Sequence, residues 1–313
     1  MPTATLQRAR TRVVPADPLF LATAIEAVVR AGELQMAHLG RDIRVDKKGT
    51  IDLVTEVDLA VEDMFRSMVA ERFPDHQVLA EELGGGAAVP AGPCWVFDPI
   101  DGTTNYAHGL PIFCASLALE VDGLAEVGAV FDPNRQELFT AERGRGAFLN
   151  GRPLRVSSAQ TLVDAMLVTG FPYDVHGRID EIVGLFGAFV GKARAVRRLG
   201  SAAIDLCYVA AGRMDGFWER DLKPWDIAAG ALVVAEAGGH VTTMDGGPFT
   251  SRRASVLASN GAIHEAMLEV IRRQSPVSSP QSAVPSPQSA VPSRQSRAII
   301  RHSDPTEPDG DSE

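Results

Sequence analysis

Apolar positions recur along this chain with two different periods, and the switch between them divides it. Between Asp17 and Gly40, Leu21, Ile25, Val28 and Val29 share one helical face; Asp17-Pro18 reads as an N-cap with proline at the first helical position. A second helix is predicted from Thr55, where Thr55 and Asp58 form a capping arrangement. Val57, Val61, Met64, Phe65 and Met68 then keep helical spacing as far as Phe73-Pro74. That spacing puts Asp58 in a first helical turn. From Cys94 the pattern becomes strand-like: residues 94–97, 113–120, 124–131 and 137–141 read as strands, with tight turns at Asp122-Gly123 and Asn150-Gly151. Beyond Leu162, helices over 180–190, 202–211 and 226–237 alternate with a strand at 216–219, and Gly238-Gly239 ends the last helix. Hairpins followed by alternating elements predict a mixed α/β (α+β) layered sandwich in two halves rather than one doubly wound sheet.

The chain has 313 residues, 45% of them hydrophobic and 22% charged, which suits an ordinary globular protein. Its ends depart from that composition. Residues 1–15 read as a flexible arm, in which Arg8, Arg10 and Arg12 suit a frayed terminus better than a transit peptide. From 274 to 313 Gln-Ser recurs every seven residues, and Pro276, Pro280, Pro285, Pro287 and Pro292 break every helical turn, so the expectation is a disordered tail. The folded domain is expected over 16–273, as halves of about 16–160 and 161–273.

Thirty basic against 40 acidic residues leave a net charge of −10, which argues against a broad nucleic-acid-binding face. Cys94, Cys114 and Cys207 are odd in number and lack CxxC spacing, so neither a disulfide framework nor a thiolate zinc site is expected. With no long apolar run and no secretory leader pattern, a cytoplasmic protein without membrane partners is the expectation.

Chemistry concentrates in Trp95-Val-Phe-Asp98-Pro99-Ile100-Asp101-Gly102-Thr103-Thr104-Asn105, an apolar strand running into two carboxylates and a turn of small residues. Oxygen-only ligands of this kind suit Mg²⁺, which binds through a few carboxylates, water and substrate phosphate. Backbone amides in a Gly-Thr-Thr turn can meet a phosphate. Glu81 and Glu82 follow apolar Val78-Leu79-Ala80, and Asp226 opens a helix after Trp225. Each acid taken singly also has a plain account as a turn, a solvated strand end or an N-cap.

Taken together, Leu79-Ala-Glu-Glu-Leu, Trp95 to Asn105 and Pro224-Trp-Asp-Ile-Ala-Ala-Gly closely resemble the inositol monophosphatase family, within the lithium-sensitive, magnesium-dependent phosphatases. The resemblance runs from about Pro18 to Arg272 and includes Asp52-Leu-Val-Thr-Glu-Val-Asp58 and Arg198-Leu-Gly-Ser-Ala-Ala203. It implies a layered α-β-α-β-α sandwich of the inositol monophosphatase and fructose-1,6-bisphosphatase type, two or three Mg²⁺ ions per site, a small phosphate monoester as substrate, and a homodimer. By the same resemblance Glu81, Asp98 and the Ile100 carbonyl hold the activating Mg²⁺. Asp98, Asp101 and Asp226 hold a second ion, and Glu81 also faces a third. Asp58 and Thr103 orient the attacking water, with Glu81 counted beside them as catalytic. Gly102, Thr103 and Thr104 receive the phosphate, while Glu219, Asp226, Asp101 and the backbone around Gly200, Ser201 and Ala202 face the polyol. A lysine near the metal-water shell falls on Lys47 or Lys48.

Physical reasoning supports the set independently, because four convergent carboxylates cannot all stay ionised without cations. Inositol 1-phosphate is the expected substrate. Histidinol phosphate, fructose 1,6-bisphosphate or a 3′-phosphonucleotide are alternatives within the superfamily, and a partner- or RNA-binding scaffold is the alternative of another class. His108, near the acidic run, is given no catalytic role.

Overall fold

The computed structural model describes residues 17–41, 43–47, 53–84, 91–172, 174–274 and 298–300. Helix α1 (Pro18–His38) leads through β1 (Ile43–Lys47) and β2 (Leu53–Thr55) into α2 (Glu56–Arg72) and β3 (Gln77–Ala80). Strand β4 (Pro93–Asp101) and the short helix α3 (Thr103–Ala107) come next. A run of hairpins follows: β5 (Cys114–Val121), β6 (Leu124–Asp132), β7 (Glu137–Glu142), β8 (Gly146–Leu149) and β9 (Arg152–Pro153). Then come β10 (Met166–Thr169), α4 (Ile179–Val190), β11 (Ala195–Arg197), α5 (Ala202–Ala210), β12 (Gly216–Arg220) and α6 (Pro224–Glu236). Strands β13 (His240–Thr242) and β14 (Ser255–Ser259), helix α7 (His264–Gln274) and β15 (Ala298–Ile300) complete the described chain.

Strands β3 to β9 form one sheet in chain order, parallel only between β3 and β4. The second sheet has the order β11-β10-β12-β14-β13. Side chains of β4 alternate between two cores, as a period of two requires. Trp95 and Phe97 pack with α1 and α2, whereas Cys94 and Val96 pack with α5, α6 and one face of the second sheet. Burial on both faces explains why this strand reads as an uninterrupted apolar run. The other face of the second sheet carries Leu167, Trp218 and Leu257 against Leu185 and Phe189 of α4 and Met267 of α7. Helices and sheets thus stack as α1/α2, seven strands, α5/α6, five strands, α4/α7, which is the α-β-α-β-α sandwich.

Local signals in the sequence account for the element ends. The Asp17 side chain accepts the Leu19 amide at 3.0 Å, and Thr55 and Asp58 form a reciprocal capping box at the start of α2. Asp122 (φ 51°) and Gly123 (φ 79°), like Asn150 (φ 49°) and Gly151 (φ 76°), adopt the paired left-handed conformations of two-residue hairpin turns.

The structure departs from expectation at several points: of the five strands of the second sheet the sequence predicts β12 alone. Helix α6 begins two residues before Asp226, because Pro224 takes the first helical position. Helix α7 is not among the predicted elements; Met267, Leu268, Val270 and Ile271 bury one of its faces, and the helix extends to Gln274, where the Gln-Ser repeat begins. Within 274–313, expected to be wholly disordered, Ala298–Ile300 pairs antiparallel with β1, Val45 opposite Ala298 and Ile43 opposite Ile300. The composition of the tail as a whole conceals an apolar tripeptide with two β-branched residues, Ile299 and Ile300, and β1 offers it an open edge. The arm at 1–15 and the remainder of the tail lie outside the described residues. Among the described residues no helix is long and apolar enough to cross a membrane.

Candidate active site

Glu81 meets Asp98 because β3 and β4 run parallel. Their register sets Ala80 beside Phe97, so the next residue on each strand, Glu81 and Asp98, emerges at the same end of the sheet. The pairing of β4 with β5 then shifts between Asp98 and Asp101. In that irregular stretch the Ile100 amide donates to Asp98 Oδ1 at 3.0 Å, and Thr103 Oγ1 donates to the Ile100 carbonyl at 2.9 Å. Gly102, at φ 99°, joins β4 to α3. A Cβ there would lie 2.9 Å from the Ile112 carbonyl and 3.2 Å from that of Gly200, so only glycine lets these loops close together. Asn105 ties the same loops, its Nδ2 donating to the carbonyls of Ile112 (2.8 Å) and Leu199 (2.9 Å).

Three helix starts bring the remaining acids. Asp58, fully buried at the third position of α2, accepts the Thr55 amide (2.7 Å) and hydroxyl (2.6 Å) through Oδ2, and its Oδ1 has no partner. Asp101 faces the start of α5, where Oδ2 accepts from Ser201 Oγ (2.6 Å) and the Ala203 amide (2.7 Å), and Oδ1 from the Ala202 amide (3.3 Å). Asp226, in the first turn of α6, accepts the Lys223 amide at 2.7 Å. Strand β12 supplies Glu219, whose carboxylate lies against Gly170 so closely that a Cβ at that position would overlap it.

Electrostatics single this cluster out. Burial, aided by Glu81 and by the neighbouring Asp101 and Asp226, pushes Asp98 well above the usual carboxylate range. Asp226 is displaced in the same direction, again chiefly by burial and then by Glu81. Asp58 is pushed up to about 8 by burial against the opposing hydrogen bonds from Thr55. Asp101 reaches about 6, burial outweighing the bonds from Ser201, Ala203 and Ala202, and Glu219 reaches about 8, burial outweighing the attraction of Arg198. The largest cause in every case is desolvation of a carboxylate, and the common aggravation is another carboxylate.

A cleft of about 710 Å³ opens over the cluster, lined by Asp101, Gly102, Thr103, Thr104, Gly200, Ser201, Ala202, Glu219 and Asp226. Asp58 and Asp98 are buried and do not line it; Glu81 raises the pKa of both. Ser201 and Ala202 are already engaged by Asp101, so they shape the cleft through that carboxylate. Lys47 ends β1 opposite Leu53, while Lys48 lies outside the described residues. Among the described residues no three His, Cys, Asp or Glu side chains close around a single point.

Some participants were not picked out from sequence. Arg198 and Phe171 line the cleft, the guanidinium 5.9 Å from the ring centre. Asp205, in the first turn of α5, is fully buried beside Glu219 and Asp101 with Oδ1 unpartnered. Arg198 stood inside a recognised segment. Asp205 gave no signal, since an acid in a first helical turn is ordinary.

The comparison with protein families decides the identity: the model of the inositol monophosphatase family matches residues 19–275. The chain belongs to the inositol monophosphatase family. It is similar to the inositol-1-monophosphatase of Synechocystis, 43% identical over 253 residues that span 80% of this chain and 88% of the relative. It is equally similar, at 43% identity, to the Nus factor SuhB of Pseudomonas aeruginosa, across 83% of this chain and 98% of that one. Among solved structures, the inositol monophosphatase of Anabaena superposes with a TM-score of 0.74 at 39% identity, covering 82% and 96% of the two chains. The protein is therefore a phosphatase of this family, and its α-β-α-β-α layering is the family's.

Proposed function

We propose that the phosphatase hydrolyses inositol 1-phosphate to inositol and phosphate with the help of Mg²⁺ held by Glu81, Asp98, Asp101, Asp226 and the Ile100 carbonyl. The observation that carries the reading is the burial of Asp98, Asp101 and Asp226 among further carboxylates, which raises all three above the usual carboxylate range. This donor set fits Mg²⁺ because it is made of oxygen alone, and beside it Asp58 Oδ1 is a buried acceptor without a hydrogen-bond partner. When bound, the metal supplies Lewis-acid stabilisation of the phosphoryl group and acidifies its water.

The chain's own groups do the rest. Asp58 Oδ1, a buried acceptor without a partner, would take a proton of the attacking water, and Thr103 Oγ1, which donates to the Ile100 carbonyl, would help to orient it. The Gly102–Thr104 turn offers amides and hydroxyls to the phosphate. Glu219 accepts hydrogen bonds from ring hydroxyls, which favours a polyol over an apolar leaving group.

A second reading, a protein- or RNA-binding role alongside catalysis, is favoured by the likeness to a relative named a Nus factor. Phosphate release from inositol 1-phosphate, glycerol 2-phosphate, histidinol phosphate, fructose 1,6-bisphosphate and a 3′-phosphonucleotide, with Mg²⁺ and with chelator, tests the proposal. It predicts chelator-sensitive preference for inositol 1-phosphate. Preference for another substrate would overturn the role of Glu219, and no release from any would bring the binding role forward.

A further inference from the structure

Glu62 is a buried carboxylate to which the reaction assigns no part. It lies on α2 one helical turn beyond Asp58, fully shielded from solvent, with Arg66 one turn further on. Its Oε2 accepts the Glu82 amide at 2.8 Å and its Oε1 the Leu83 amide at 3.0 Å. Arg66 Nε donates to the same Oε1 at 2.8 Å, and Arg66 Nη2 donates to the Gly84 carbonyl at 2.7 Å. The Glu62–Arg66 pair therefore grips Glu82, Leu83 and Gly84, the residues immediately after Glu81. A bridge between Ala80 and Gly84 closes the turn, and Gly84 adopts the φ of 79° that the reversal requires.

A carboxylate removed from water is costly unless charge-assisted hydrogen bonds replace its hydration, and here both oxygens are used. The bonds go to backbone rather than to the core, and the backbone they hold is the one on which Glu81 stands. We propose that Glu62, backed by Arg66, is the positioning residue for Glu81: it latches the turn at 81–84 to the helix that carries Asp58, keeping the Glu81 carboxylate beside Asp98. The proposal rests on the reading of Glu81 as a metal-facing group. Without the latch, metal binding must itself order the turn, so the loss falls on metal affinity more than on turnover at saturating metal.

The test pairs hydrogen exchange at the Glu82 and Leu83 amides with Mg²⁺ titrations of activity in wild type, Glu62→Gln and Arg66→Ala. In Glu62→Gln both amides are expected to exchange faster while those of β5 do not change. The Mg²⁺ concentration for half-maximal activity should rise about 10- to 100-fold, with kcat approaching wild type once metal saturates. Arg66→Ala, which leaves Glu62 its two amides, should show a smaller shift of the same kind, and it carries the test should Glu62→Gln not fold. Unchanged exchange at Glu82 and Leu83 would overturn the latch. So would a lower kcat with an unchanged Mg²⁺ requirement, the mark of a merely structural role. A wild type whose turnover ignores Mg²⁺ would instead overturn the functional reading beneath it.

Discussion

The two ends of the β4–β5 ladder both bury carboxylates and treat them in opposite ways. At one end Cys94 faces Glu120, which is 1% exposed and is held by Arg252 Nη2 at 2.8 Å and Ser251 Oγ at 2.5 Å. At the other end Asp98 faces Ser116 and Asp101 faces Cys114; there the charged neighbours of each acid are further acids, their hydrogen bonds come from neutral amides and a hydroxyl, and no Arg or Lys among the described residues pairs with either. The first arrangement finishes its electrostatics within the chain and so reads as structure. The second leaves them unfinished, and a protein keeps such a place when something from solution completes it.

Neutralising one acid at each end should separate the two cases most widely. On the proposed function, Asp98→Asn is expected to lower turnover by about a thousandfold or more, through loss of a ligand charge. Circular dichroism should show the fold intact, and in chelator the variant should melt no lower than wild type, one buried repulsion having been removed. Glu120→Gln should do the reverse, losing about 3 kcal/mol in denaturant unfolding by stranding Arg252, with kcat per folded molecule unchanged. Equal effects of the two substitutions on both readouts would erase the distinction.

A buried group of the other charge type sharpens it. His264 sits between Thr242 Oγ1 and Ser259 Oγ, both 2.9 Å from its ring nitrogens, with His240 stacked on it and Glu265 as its nearest acidic influence. The Thr242 hydroxyl donates to the Thr243 carbonyl, so the ring must donate to Thr242 and accept from Ser259, which assigns the neutral tautomer. Burial and His240 lower its pKa from 6.5 to about 4. The folded state thus takes its proton later than the unfolded state as pH falls. Its contribution is complete above pH 6.5 and is lost progressively down to about 4. Melting temperature over that window should drop less in His264→Asn than in wild type; parallel profiles would remove the assignment. Deletion of residues 275–313 should have the smallest effect, less than about 1 kcal/mol, since among the described residues of that stretch the contribution is the pairing of Ala298–Ile300 with β1. A larger loss would mean that the tail docks more widely.

Legibility followed the range of the interaction. The capping box at Thr55 and Asp58, the paired left-handed turns and the doubly buried β4 are local or periodic, and they were readable before any coordinates. The candidate site was legible because its acids lie in short recognisable segments. Its geometry was not: that Glu81 emerges beside Asp98 depends on β3 being the one parallel neighbour in its sheet, which no spacing reveals. Glu62 and Asp205 were hidden for a similar reason. An acid on a helix reads as a solvated face until the fold shows it 0 to 1% exposed. Ala298–Ile300 went unread because its partner edge lies some 250 residues away.

The most direct test of the account is titration calorimetry of Mg²⁺ into chelator-stripped wild type, Asp98→Asn and Glu120→Gln. Saturable binding by wild type and Glu120→Gln, with Asp98→Asn weakened at least about tenfold, is the predicted result. Binding to Asp98→Asn as tight as to wild type, or none to wild type, would contradict the claim that Asp98 and the acids around it hold a metal.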